Sequence, residues 1–222
     1  MTQKIYQVDA FSDQVFAGNP AAVCPLDHWL DENLMQKIAL ENNLSETAFY
    51  IKNGEHYEIR WFTPTTEVDL CGHATLAAAY VLFFCEQHPG NHIRFYSHRS
   101  GPLTVQRQNE LLTLDFPADV PTQINEASFF IEGFDIQPIE AWQGKTDLLL
   151  LFESEEQIRR LQPRMEIIGQ WKFRGVIATA KGDSTDFVSR FFGPQSGVPE
   201  DPVTGSAHTT LAPFWAERLD KK

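Results

Sequence analysis

The sequence predicts an α+β protein of two similar lobes, each with strands forming a shell around a central helix. The first observation behind this is an internal repeat. Arg60-Trp61-Phe62-Thr63-Pro64 is echoed by Arg190-Phe191-Phe192-Gly193-Pro194, and Asp69, Gly72 and Ala74 are echoed by Asp201, Gly205 and Ala207. The offset drifts from 130 to 133 residues, so the second copy carries small loop insertions. A period this long means two copies of one fold unit, not a solenoid. The second observation is the stretch 72–86, which is apolar on nearly every side of a helical wheel. Such a helix is expected to be surrounded by protein. The third is a series of short β-type runs, bounded by Gly, Pro and Asn, on both sides of that helix.

In chain order, residues 5–11 read as a strand, Gly18-Asn19-Pro20 as a turn and 21–24 as a second strand. Asp31 can cap a helix running to 42, with Leu34, Met35, Ile38 and Ala39 on one face. Strands are expected at 47–51 and 57–62, then the apolar helix, then strands at 93–96, 103–107 and 111–116. Residues 117–125 read as a linker, dividing the chain into lobes 1–117 and 118–222. The second lobe offers strands at 139–142, 148–152, 176–180 and 187–192. It also offers a helix over 154–161, with Ser154 as cap and Glu155 and Glu156 in its first turn. A last helix begins near Ser206 and contains Pro213, where a kink is expected. The first lobe follows its apolar helix with further strands, whereas the second ends after its helix. The comparison predicts a deficit on the order of 30 residues in the second copy. The second lobe is therefore expected to be incomplete, with an apolar flank exposed on its last helix.

A chain of 222 residues, 42% hydrophobic and 12% aromatic, is long and apolar enough to bury a core. Its net charge of −12 argues against nucleic acid or an anionic membrane as partner, because both are bound through excess Lys and Arg. A small anionic ligand at a local site remains compatible with it. Cys24, Cys71 and Cys85 form no CxxC pair and no zinc pattern, which suits free thiols in a reducing cytoplasm. The opening residues lack the apolar stretch of a signal peptide, and the longest apolar run, 76–85, is too short to span a bilayer.

Chemistry is expected where the repeat places its glycines. Asp69-Leu70-Cys71-Gly72-His73-Ala74 opens the apolar helix, and Pro202-Val203-Thr204-Gly205-Ser206-Ala207 opens the last one. The first amides of a helix lack internal partners and carry partial positive charge, and glycine admits a ligand close to the backbone. Two such starts facing one another would hold a small carboxylate. Either one alone reads better as an ordinary capped helix start, and it is the pairing that favours function. His73 could carry a proton or simply donate a hydrogen bond. Asp201, before Pro202, could act in a site or fix a turn. Glu46 sits between Leu44 and the apolar run 48–51, where burial would raise its pKa into the general acid–base range. From pattern alone, a rim glutamate paired with an arginine accounts for Glu46 better. Cys71 has Val203 or Thr204 opposite it in the second copy, so a two-thiol racemase is disfavoured and Cys71 reads as a small packed residue. His88 and His92 are separated by Pro89 and Gly90 and make no metal site. No phosphate-binding glycine loop and no nucleophile elbow occurs.

Six motifs in order carry a resemblance. They are Val8-Asp9-Ala10-Phe11, Gly18-Asn19-Pro20-Ala21-Ala22-Val23, Asn43-Leu44-Ser45-Glu46-Thr47-Ala48-Phe49, Arg60-Trp61-Phe62-Thr63-Pro64, Asp69-Leu70-Cys71-Gly72-His73-Ala74-Thr75 and Glu200-Asp201-Pro202-Val203-Thr204-Gly205-Ser206-Ala207-His208. Together they resemble the PhzF-like phenazine-biosynthesis family, relatives of diaminopimelate epimerase. The resemblance implies two pseudo-symmetric lobes, each a β-barrel-like sheet around a central helix. It implies a cofactor-independent, metal-free isomerase, usually a homodimer, that moves a proton on a small carboxylate substrate at a site between the lobes. It assigns catalysis to Glu46, His73 and Asp201, and substrate binding to Gly72, Ala74, Gly205, Ser206 and Ala207. An amino-acid racemase or epimerase on the same scaffold, or a non-catalytic carboxylate-binding protein, are the alternatives. Members continue past the second helix, which agrees with the deficit read from the repeat.

Overall fold

The computed structural model describes residues 2–125 and 127–221. The chain divides into two compact units, Met1–Phe116 and Pro117–Lys222. The first opens with β1 (Tyr6–Ala10) antiparallel to β2 (Asn19–Leu26). Gly18 leads into β2 against the end of β1. A Cβ there would fall 2.3 Å from the Ala10 carbonyl oxygen and 3.1 Å from the Asp9 carbonyl carbon. Backbone cannot rotate away as a side chain can. Gly18→Ala is therefore expected to cost about 1–3 kcal/mol, read as a lower denaturation midpoint, and an unchanged midpoint would show that the hairpin yields.

Helix α1 (Glu32–Asn42) starts where the Asp31 side chain accepts the Asn33 N–H, and it stops at Asn43 in the left-handed region, φ 52°. It buries Met35 and Ala39 against Cys24, Phe49 and Phe62. Leu34, expected on that face, is exposed. With α1 as crossover, β3 (Glu46–Asn53) pairs parallel to β2. Then β4 (His56–Phe62) returns antiparallel to β3 and carries the short β5 (Glu67–Val68). After α2 (Gly72–Tyr80) come β6 (His92–Ser97), β7 (Gly101–Gln108) and β8 (Leu111–Leu114). The strand order is β1-β2-β3-β4-β6-β7-β8, and α2 packs on β1, β2 and β3 and also on β8. Since β1 and β8 are the two ends of that order, the sheet curls around the helix.

Residues 72–86 do not form one enclosed α-helix. The backbone widens at Val81–Cys85 into a π-helical turn. Tyr80 and Phe84 lie partly in solvent, 44% and 39% exposed, with their rings 4.7 Å apart. The Arg107 guanidinium lies over Phe84 at 5.1 Å, so these aromatics cover each other rather than the core.

The second unit runs β9 (Thr122–Ile124), a 3-10 turn (Ala127–Gly133), β10 (Glu140–Gln143), β11 (Asp147–Leu151), α3 (Glu155–Arg160) and α4 (Met165–Ile168). It continues with β12 (Gly175–Lys181), β13 (Phe187–Gly193), β14 (Val198–Asp201) and α5 (Gly205–Leu219). The stretch 117–125 is thus not a plain linker, since β9 lies in it and pairs with β10. The order is β14-β13-β12-β11-β10-β9, with only β11 and β12 parallel, joined through α3 and α4. The run β11–α3/α4–β12–β13–β14–α5 repeats β2–α1–β3–β4–β5–α2, so the sequence repeat is a repeat of topology. Strand β11 is buried throughout, as a central strand covered on both faces must be. Leu148 and Leu150 meet Phe134 and Phe152, while Leu149 and Leu151 meet Leu211 and Trp215 of α5.

Strands β6–β8 have no counterpart among the described residues of the second unit, and Lys222 lies outside them. The apolar flank expected on α5 is nevertheless covered. Phe214 and Trp215 are buried against the sheet, and the Arg218 guanidinium lies over Phe214 and Trp142, at 4.4 and 5.3 Å. Pro213 sits inside α5, which continues past it.

Candidate active site

Glu46 is the first residue of β3, in register with Ala21 of β2. The left-handed Asn43 ends α1 and turns the chain into that strand. His73 is the second residue of α2, whose N-cap is Cys71 in extended conformation. The Cys71 carbonyl accepts from the Thr75 N–H at 3.2 Å and from Thr75 Oγ1 at 2.6 Å, which holds the helix start in place. Two elements distant in sequence therefore deliver a carboxylate and an imidazole to one spot. His73 Nε2 is 3.5 Å from Glu46 Oε2, and His73 Nδ1 is 3.4 Å from Cys71 Sγ.

The His73 side chain is 3% exposed and that of Glu46 is 16% exposed. Burial lowers the His73 pKa to about 4, opposed in lesser part by a hydrogen bond to the Pro20 backbone. The ring is therefore neutral near pH 7 and can pass a proton or polarise a group without adding charge. Gly72 and Ala74 are buried beside it. Asp69, which the repeat pairs with Asp201, points away from this spot. Its side chain is 78% exposed and bridges to Arg99 at 3.1 Å. Arg60 is held by Glu67 and Glu32. Cys24 is inert, since burial pushes its thiol up to about 12.

In the second unit Asp201 ends β14, opposite Phe191, and its Oδ2 accepts from Thr204 Oγ1 at 2.5 Å. Thr204 is the N-cap of α5, where Cys71 stands in α2. A pocket of about 210 Å³ opens here, walled by Asp201, Pro202, Thr204, Ala207, His208 and Arg190 among others. Of the residues expected to bind substrate, Ala207 reaches this wall. Gly205 and Ser206 lie beside it, and Ser206 Oγ accepts from Arg174 at 2.9 Å, itself ion-paired with Asp147. His208, whose Nδ1 is 2.9 Å from the Thr204 carbonyl, and Arg174 were not singled out from sequence. His208 stands one turn after Thr204 and could have been found by that spacing. Arg174 lies on a distant segment with no local mark.

A family model described as phenazine biosynthesis-like protein matches residues 8–222. The chain belongs to that family. An uncharacterized isomerase of Pseudomonas aeruginosa is 52% identical over 221 residues, covering all of this chain and 84% of that protein. The crystal structure of a PhzF-family protein from Enterococcus faecalis superposes with TM-score 0.91 at 46% identity, covering 100% of this chain and 85% of that one. A probable proline racemase from Agrobacterium radiobacter shares the fold alone, with TM-score 0.62 at 8% identity over 100% of this chain and 79% of that one. The family and the epimerase-like α+β fold expected from the six motifs are thereby borne out. No helix among the described residues is long and apolar enough to cross a membrane.

Proposed function

We propose that the chain is a cofactor-independent isomerase that moves a proton on a small carboxylate substrate, with Glu46 as general acid/base. The observation that carries this reading is the Glu46 carboxylate set 3.5 Å from a buried, neutral His73 at the opening of α2. Glu46 takes a proton from carbon and returns it at another position, and His73 orients the substrate or relays the proton. The amides opening α2 at Gly72 and Ala74 hold the substrate carboxylate, the role for which helix starts are suited. Within the second unit, Asp201 and the start of α5 at Gly205, Ser206 and Ala207 are proposed to contribute further substrate contacts. A two-thiol racemase is not favoured, because Thr204 stands at the N-cap that Cys71 fills in α2. We assign the protein to the cytoplasm as a homodimer, in keeping with its three free cysteines and the resemblance.

The test is incubation with a panel of cyclic and amino-acid-like carboxylates in D₂O, without added cofactor, followed by mass spectrometry. The expected product is an isomer carrying solvent deuterium at the newly protonated carbon. A broad panel in which nothing is isomerised or exchanged would sink the reading in favour of a carboxylate-binding protein.

A further inference from the structure

Glu46, Cys71 and His73 each offer one donor atom, and the three atoms lie within 4.8 Å of one another. Donor atoms on a tetrahedral Zn²⁺, at about 2.0–2.3 Å from the metal, stand about 3.5 Å apart. One ion takes one ring nitrogen of His73. Nε2 stands 3.5 Å from Glu46 Oε2, which matches that spacing, whereas the 3.4 Å contact of Cys71 Sγ is to the other nitrogen, Nδ1, so the Cys71 side chain must rotate towards Nε2 to close the trio. His73 is more than nine-tenths buried, and its Nε2, turned towards Glu46, makes no hydrogen bond. A buried polar atom of that kind calls for an explanation, and ligation supplies one.

We propose that Glu46, Cys71 and His73 form a binding site for one soft divalent cation, Zn²⁺. The donor set selects the ion: thiolate with imidazole suits Zn²⁺, whereas Mg²⁺ and Ca²⁺ take oxygen ligands. The charge also balances. On binding, the Cys71 thiol gives its proton to solvent, and the thiolate and the Glu46 carboxylate together neutralise the ion. A buried charge that is neutralised in this way avoids most of the desolvation cost. Three protein ligands leave a fourth position for water. A bound ion also takes the lone pair of Glu46, so Zn²⁺ would block proton transfer. That consequence rests on the Glu46 reading above, whereas the binding itself does not.

The test is titration of the purified chain with Zn²⁺ by calorimetry in two buffers, and with Co²⁺ by absorbance. Expected are one ion per chain, about one proton released, and a thiolate-to-cobalt charge-transfer band. Cys71→Ala should remove the band and weaken Zn²⁺ at least about ten-fold. Glu46→Gln and His73→Asn should weaken it similarly, and the near-isosteric Glu46→Gln keeps the test sound if Cys71→Ala fails to fold. Cys85→Ser should change nothing. No saturable one-to-one binding would overturn the site, as would a band that survives Cys71→Ala or vanishes in Cys85→Ser, or unchanged affinity in Glu46→Gln. Failure here leaves the turnover test of Glu46 untouched.

Discussion

Glu46→Gln is expected to lower turnover by about 10²–10⁴-fold, the usual cost of losing an acid–base group. That range corresponds to about 3–5.5 kcal/mol of transition-state stabilisation. Glutamine keeps the length and shape of the side chain but cannot take up or release the proton. The backbone at this position is fixed by pairing with β2, opposite Ala21, so the substitution should leave the fold intact. The loss should fall on kcat rather than KM, because Gly72 and Ala74, which hold the substrate carboxylate in this reading, are untouched. Affinity for a non-reacting carboxylate should stay within a few-fold. A fall in kcat of less than about ten-fold would remove Glu46 from the chemistry. A change confined to KM would make it a binding residue. A shifted denaturation midpoint would mean that the loss is structural.

Features set by local rules were the readable ones. Asp31 as a cap, a helix running to 42 and the β-type runs each depend on residues a few positions apart, and all appear in the structure near the expected boundaries. The repeat was legible because both copies keep the same glycine-led helix start, and it proved to be a repeat of topology. What local pattern could not show was how solvent is kept off an apolar surface. Arg218 over Phe214 and Trp142, and Arg107 over Phe84, do this with the broad faces of guanidinium groups. Neither arginine is marked by its neighbours in sequence. The π-helical turn at Val81–Cys85 was hidden for a similar reason, since its residues have no preference against a regular helix. In the candidate site, Glu46 and His73 were legible as residues, but their meeting was not. It arises because β3 and the start of α2 are brought together by the curl of the sheet around the helix. Cys71 was read as a packed residue, and it is indeed buried. Its closeness to His73 follows from α2 geometry, two residues apart at a helix start, which sequence spacing alone underdetermines.

Acidification should expose the state of His73 directly. The unfolded chain has an ordinary histidine pKa near 6.5, whereas the folded ring is lowered to about 4 by burial. The folded state therefore binds fewer protons between these values. The stability contributed by the neutral buried ring is fully present above pH 6.5 and is lost as pH falls towards 4. Over that window the shift amounts to about 3 kcal/mol, from about 1.4 kcal/mol for each pKa unit. Carboxylates titrate in the same range, so wild type alone cannot isolate the effect. His73→Asn carries no titrating ring but shares every other group. The difference in unfolding free energy between wild type and His73→Asn should therefore move against wild type by about 3 kcal/mol between pH 7 and pH 4. Denaturant melts with a metal chelator present would read it. A difference that stays flat with pH would mean that the ring is solvated and protonates as in the unfolded chain. His73 would then carry a positive charge beside Glu46 at mildly acidic pH, and a neutral relay could not be its role.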